Sequence, residues 1–337
     1  MTSLSIGDMA QSLVLRRQNS NLKTRMGTLS QELVTGLARD PGKRLSGDFT
    51  PLAAIERSLT VLGAYKTALT EAKVTTDAMQ ASLGTLGDMS SGLSPGLFLT
   101  GSSVDPTLVT TAGVDAMGKL EHAVSVLNTQ AAGRSLFSGA ATDTPALVSA
   151  DDIMSGLRTA VSGAVTADDV MAAAAAWFDT QTGGFETQAY QGSATPAGPV
   201  RLADGHLLSL DITAADPALR GVIRGVATAA LLEDPALLGG DATARAELAQ
   251  QAAEHLLTAE RPLATLRAEL GNAQNRIETI SAENASQTSA MEIARTELIG
   301  ADPYDTATEM EAVQGQLETL YTVTARLSRL SLADFLT

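Results

Sequence analysis

The chain has 337 residues, enough for two or three domains with a sizeable buried core, and none of them is cysteine, which excludes a disulfide framework and thiolate chemistry. Its 38 carboxylates against 23 Lys and Arg leave a net charge of −15, the wrong sign for a surface that binds nucleic acid.

Apolar residues at alternating three- and four-residue steps predict helices over most of the length. The first carries Leu15, Leu22, Met26, Leu29 and Leu33 and ends near Gly36, with Pro41, Gly42 and Gly47 marking a connector. A second begins near Pro51, a residue suited to a first helical turn, and runs through Leu59, Leu69, Met79 and Leu86. Gly and Pro in "SSGLSPGLFLTGSSVDP" (90–106) are expected to break it. A third follows with Met117, Leu120, Val124, Leu127 and Ala131, a coiled-coil seam expected to run into "RSLFSGAATDTPAL" (134–147). There Leu136 and Phe137 are expected to close the rod. From Gly139 a small polar linker would carry the chain out of it.

The middle is mixed. Helical segments are expected at 150–161 and 167–178, and strand-like pieces in "FETQAYQGS" and "PVRLADGHLLSLDI". Ala203-Asp204-Gly205 gives a hairpin signal in the second. Helix returns at 217–232 and from Asp241, and a seven-residue repeat from Leu263 to Leu298 reads as a rod helix from Pro262 to Ile299, about 57 Å long. "GADPYD" (300–305) interrupts, because Pro303 disfavours helix at Asp302. A last helix holds Met310, Val313, Leu317, Leu320, Thr324 and Leu327 and closes on "LSLADFLT". The fold expected is mainly α: a long antiparallel coiled-coil-like rod built from both chain ends, with an inserted mixed α+β outer domain. In residue numbers this gives assembly helices at 1–45 and 301–337, rod helices at 46–138 and 214–300, and an outer domain at 139–213.

Catalytic chemistry finds no support. His122, His206 and His255 lie far apart in sequence, without second ligands at metal spacing, and "AEHLL" lacks the second His of a zinc-protease helix. No glycine-rich phosphate loop occurs, so no cofactor is expected. Asp151-Asp152 and Asp168-Asp169 precede helical segments, where carboxylates cap free N–H groups. Trp177, the sole tryptophan, reads as a core anchor of the middle domain. No apolar run approaches the roughly 20 residues of a membrane span, so membrane insertion is not expected, and no Sec-type signal follows Met1.

What remains is amphipathic surface. Residues 1–45 carry seven basic and three acidic residues, whereas 139–260 carry five Arg and sixteen carboxylates, a polarity that would steer copies toward one another and also favours solubility. The terminal helices are separated from the rods by breakers, and isolated helices of that length are marginal in water. They are expected to be disordered tails in the monomer that fold on assembly, with Leu15, Leu22, Met26, Leu29 and Leu33 facing Leu317, Leu320, Leu327, Leu330, Leu332 and Phe335 or neighbouring subunits.

"LKTRMGTLSQELVTG", "GRSLFSG" followed by "ATDTPAL", "GGFETQAYQGS", "AELGNAQNRIE" and the final "LSLADFL" together resemble the flagellin superfamily, and within it the hook-associated proteins of the hook–filament junction. "LFSG" and the terminal "DFL" carry the narrower likeness; the heptads would match any flagellin. The connector departs from the family, with Asp40-Pro41 early and Asp48-Phe49 later. The resemblance implies an extracellular structural adaptor of the bacterial flagellum, not an enzyme, exported through the flagellar type III apparatus without a cleaved signal. It implies a ring of copies between hook-associated protein 1 and flagellin, and an export chaperone on the C-terminal helix beforehand. Leu136, Phe137 and Gly139 would mark the rod-to-head transition. The alternatives are filament flagellin itself, or a secreted coiled-coil adhesin with a ligand site at Trp177 and Gly183-Gly184.

Overall fold

Heptads that bury one stripe become long helices. The computed structural model describes residues 6–336, with the side chains of residues 6–9, 11, 43 and 328–336 outside the described set. Nine α-helices are described: α1 (Ile6–Thr35), α2 (Pro41–Arg44), α3 (Thr50–Ser103), α4 (Pro106–Leu127), α5 (Ala150–Val161), α6 (Ala167–Asp179), α7 (Pro217–Ala230), α8 (Ala242–Ile299) and α9 (Pro303–Leu336). Two short antiparallel hairpins join them, β1 (Gln130–Ala131) with β2 (Arg134–Ser135) and β3 (Val200–Ala203) with β4 (His206–Leu208). The fold is mainly α, with long helices and few, small strands. Its contacts cluster into two units, residues 1–63 with 285–337, and residues 64–284.

In the 64–284 unit, α3 and α8 run antiparallel. Lys73 Nζ lies 3.3 Å from Glu278 Oε1, and Gln274 Nε2 donates to Asp77 Oδ1 at 2.7 Å. Further along, Gly101 approaches α8 so closely that a Cβ would stand 2.9 Å from the Ala246 carbonyl oxygen. One apolar core takes Leu83, Leu86 and Leu97 of α3, Leu120 and Leu127 of α4, Ile153 and Leu157 of α5, Phe178 of α6, Leu219 and Val222 of α7 and Leu256 of α8. A smaller cluster, with Leu69, Leu202, Leu208, Ile277 and Ile280, seats the β3–β4 hairpin on α3 and α8. α4 also packs against a 3-10 turn at Leu231–Glu233, and the contact is backbone on backbone at Gly113. Arg245 is buried beside that turn. It donates to the Leu232 carbonyl at 2.6 Å and to Thr110 Oγ1 at 3.1 Å, which compensates a charge that burial would otherwise penalise.

The helix starts at 150 and 167 and the hairpin at 203–206 match the sequence reading. Four expectations do not. α3 continues through Pro95 to Ser103, because Leu93 and Leu97 on either side are buried in the core and packing overrides the missing N–H. The break falls at Val104, with φ +50°, and Asp105, whose carboxylate caps α4 by accepting from the Thr107 N–H. α8 starts twenty residues before Pro262 and runs through it, so the repeat from Leu263 is the second part of one helix. "FETQA" forms a π-helical turn at Phe185–Ala189 instead of a strand, since that geometry buries Phe185 against Trp177 and Phe178 at ring-centroid distances of 6.3 and 5.5 Å. Finally, α4 ends at Leu127, before the expected rod terminus.

The helix caps also differ in detail from the acid-pair reading. Ser149 and Thr166 are the capping residues, and the carboxylates support them. Asp169 accepts from the Thr166 N–H at 3.0 Å while Thr166 Oγ1 accepts from the Asp169 N–H at 3.1 Å, a closed capping box. That hydroxyl, followed by the Val165 and Thr166 amides, holds the Asp169 carboxyl below the usual carboxylate range.

Candidate assembly surface

The other unit brings the two ends of the chain together. α1 packs on α9 along the stripe that both sequences carry. Leu29, Val313 and Leu317 form its buried centre, with Leu22, Met26 and Met310 packed against them. Arg25 pairs with Glu309 at the edge of this seam. A backbone bridge between Leu37 and Gly300 closes one end: the Ala38 N–H donates to the Ile299 carbonyl at 2.8 Å, and the Ala301 N–H to the Gly36 carbonyl at 2.9 Å.

This pairing leaves much apolar surface open. Leu320 is buried and Leu15, Leu22, Met26 and Leu327 are half-buried, but Leu33 is 41% exposed. Val34 is 84% exposed and Tyr304 80%, and Leu13, Val14, Tyr321 and Val323 also face solvent. Of the residues expected at the interface, the structure therefore brings Leu22, Met26 and Leu29 against Leu317. The side chains of Leu330, Leu332 and Phe335 lie outside the described residues. Val313, which the periodicity placed on the stripe but not among the facing residues, sits at the centre of the contact, with Met310 packed against it. Exposed Val, Leu and Tyr side chains on the paired helices are apolar surface open to a protein contact.

Leu136, Phe137 and Gly139 do not end a helix. Asn128 caps α4 and clamps the next segment, donating from Nδ2 to the Leu147 carbonyl at 3.0 Å and accepting from the Leu147 N–H at 2.8 Å. The β1–β2 hairpin follows, and then Leu136, Phe137 and Ser138 enter the core of the 64–284 unit. The Phe137 carbonyl accepts from the Ala214 N–H at 2.8 Å. Gly139 has φ +62°, and a Cβ there would stand 2.7 Å from both the Ser193 and Thr195 carbonyl oxygens. The small residues expected to make a flexible linker instead allow close backbone packing. Leu136 and Gly139 line an apolar cleft of about 420 Å³ with Val74, Met79, Val200 and Ile212.

The remaining candidates are structural in setting. Trp177 is buried with Phe178 and Phe185, and a Cβ at Gly184 would overlap its indole, so Gly184 is the floor on which the ring lies. His122 and His206 are exposed, whereas His255 is half-buried between α7 and α8. Among the described residues no cluster of three His, Cys, Asp or Glu side chains is placed to hold a metal ion, and no helix is long and apolar enough to cross a membrane.

Comparison with known proteins converges on the same helices. Residues 253–336, the second part of α8 and all of α9, match the bacterial flagellin C-terminal helical region. No curated protein sequence matches the chain. Two solved structures share its fold. One is a putative flagellar hook-associated protein from Vibrio parahaemolyticus (TM-score 0.52, 15% identity, covering 75% of this chain and 99% of that one). The other is FlgL of Bacillus cereus (TM-score 0.52, 16% identity, covering 72% of this chain and 100% of that one). These findings fit the resemblance carried by the "LFSG" and "DFL" motifs.

Proposed function

We propose that the chain is a structural, non-enzymatic subunit of the bacterial flagellum, an adaptor that forms a ring at the hook–filament junction between hook-associated protein 1 and the flagellin filament. The observation that carries this reading is the coincidence of three features at α9. It matches, with most of α8, the flagellin C-terminal region, it pairs with α1, and the pair leaves Val34, Tyr304, Tyr321 and Val323 uncovered. Exposed apolar side chains of that kind are stabilised when neighbouring subunits remove them from water. In this reading residues 1–45 and 301–337 are the assembly segments, 46–138 and 214–300 the rod, and 139–213 the outward domain. Export takes the flagellar type III route, with a chaperone on the C-terminal helix, and the protein acts outside the cell.

The test is immunogold labelling of detached flagella with an antibody against residues 139–213. A narrow band of gold where hook meets filament is expected. Gold along the whole filament would make the protein a flagellin, since the match to the flagellin C-terminal region is common to both. A second test probes the terminal helices: Leu320→Ala with Leu327→Ala should abolish filament attachment, and normal attachment would remove those helices from the interface.

A further inference from the structure

α6, α7 and α8 are joined by a polar chain that runs through Asp179, Arg224 and His255. Arg224 of α7 pairs through Nη1 with the Asp179 carboxylate at the end of α6. Its other side lies against His255 of α8, with Nη2 2.9 Å from His255 Nδ1 and Nε 3.0 Å from Nε2. His255 Nε2 is also 2.9 Å from the Gly221 carbonyl of α7. The tautomer that satisfies the Gly221 carbonyl carries its proton on Nε2 and leaves Nδ1 to accept from Arg224 Nη2, so in that tautomer the Arg224 Nε–H beside Nε2 makes no hydrogen bond to the ring. The ring works here only while neutral.

Three other carboxylates on and beside these elements have partners of their own. Asp168 of α6 accepts from Gln251 at 2.7 Å, and Glu254 of α8 from Gln250 at 3.2 Å. Glu186 of the π-turn lies 3.4 Å from Arg220 of α7, which also donates to the Phe178 carbonyl. No carboxylate offsets a charge on the imidazole, and Arg224 opposes it.

We propose that Asp179, Arg224 and His255 form an acid-released latch that holds α7 to α8 at neutral pH and lets the two helices part once His255 takes a second proton. Protonation of Nδ1 removes the acceptor for Arg224 and places a cation against a guanidinium already committed to Asp179. Beside Arg224 on α7, a Cβ at Gly225 would stand 2.5 Å from Leu256 Cδ2 and 3.1 Å from His255 Cδ2, so the helices are already in close contact there. Separation of α7 from α8 relieves the repulsion. Burial, and then the Arg224 charge, hold the His255 imidazole below the usual histidine range. The unfolded chain binds the proton more readily than the folded one. The latch thus contributes fully above about pH 6.5, and its contribution is lost as pH falls from there toward the folded midpoint.

The test is hydrogen exchange of the full chain at about pH 7.5 and about pH 5, corrected for intrinsic exchange, in the wild type and in His255→Gln. Gln can donate to the Gly221 carbonyl and accept from Arg224, but it does not titrate. The wild type should lose protection across 217–230 and 245–260 in acid, while His255→Gln stays flat. Equal wild-type protection at both pH values, or the same acid loss in the variant, overturns the latch. If His255→Gln fails to fold, imidazole NMR titration of the folded chain with His122 and His206 replaced by Gln decides: a midpoint below an ordinary histidine supports the latch, and an ordinary or raised one overturns it.

Discussion

Gly113 gives the sharpest test of how the 64–284 unit is packed. A Cβ at this position of α4 would stand 2.1 Å from the Glu233 nitrogen and 2.4 Å from the Leu232 carbonyl carbon, both backbone atoms that no rotamer change can move. Ordinary contact is about 3.5 Å, so Gly113→Ala forces α4 and the 231–233 turn apart by more than about 1 Å. Overpacking of that kind costs about 1–3 kcal/mol. The same displacement pulls on the Leu232 carbonyl, to which the buried Arg245 donates at 2.6 Å, and loss of a hydrogen bond from a charged group costs about 1.5–3 kcal/mol. Better helix propensity returns about 1 kcal/mol, for a net destabilisation of about 3 kcal/mol. Trp177 is the only tryptophan and is buried in this unit, so its emission through a urea titration reads the change. Gly118, on the same helix, has nothing within 4 Å of its would-be Cβ, and Gly118→Ala should instead stabilise by about 0.5–1 kcal/mol. A Gly113→Ala variant within about 0.5 kcal/mol of wild type would refute the close contact of α4 with the turn.

Other changes act elsewhere. Phe137→Ala empties a fully buried site and should cost about 3–5 kcal/mol in the same urea assay, where a flexible linker at 136–147 would show almost none. Leu317→Ala should loosen α1 against α9 by about 2–4 kcal/mol, read as faster amide exchange in residues 22–33 of the isolated chain. Leu33→Ala, on the exposed side, should leave that exchange unchanged while impairing filament attachment. Thr166→Ala should cost about 1 kcal/mol through loss of the α6 cap, seen as fraying of 167–171. Because the Thr166 hydroxyl keeps the Asp169 carboxyl below its ordinary range, the capping box stabilises α6 above that range and fades as pH falls through the lowered midpoint. Acid fraying of α6 in the wild type, with no further pH dependence in Thr166→Ala, is the expected pattern.

Periodicity was readable wherever burial follows the helix repeat. The α5 and α6 starts, the β3–β4 turn at Asp204-Gly205 and the stripe from Met310 to Leu320 all declare themselves through caps, turn residues or spacing. Proline misled because it acts locally whereas the core acts at a distance. Nothing in "SGLSPGLF" says that Leu93 and Leu97 are buried against partners far along the chain, yet that contact carries α3 through Pro95. Small residues were ambiguous for a related reason. A Gly or Ser suits a mobile linker and also suits backbones that must nearly touch, and Ser138–Gly139 belongs to the second case. The candidate surface was legible as a stripe. Which part of the stripe α1 and α9 bury against each other required the structure, since either Leu29 or Leu33 satisfies the spacing.

The bridge at Leu37 and Gly300 fixes the alignment of α1 with α9 through main-chain atoms alone. Such a joint reads no side-chain identity except where a Cβ is forbidden: Gly36 has φ +68°, and a Cβ on Gly300 would stand 2.3 Å from the Thr296 carbonyl oxygen. The connector after Gly36 can therefore change its composition without disturbing the terminal pairing. Phase is what the arrangement guards. One residue inserted between Leu29 and Gly36 would turn the buried stripe by about 100° relative to the pinned end, whereas one inserted in 39–49 would be absorbed outside it.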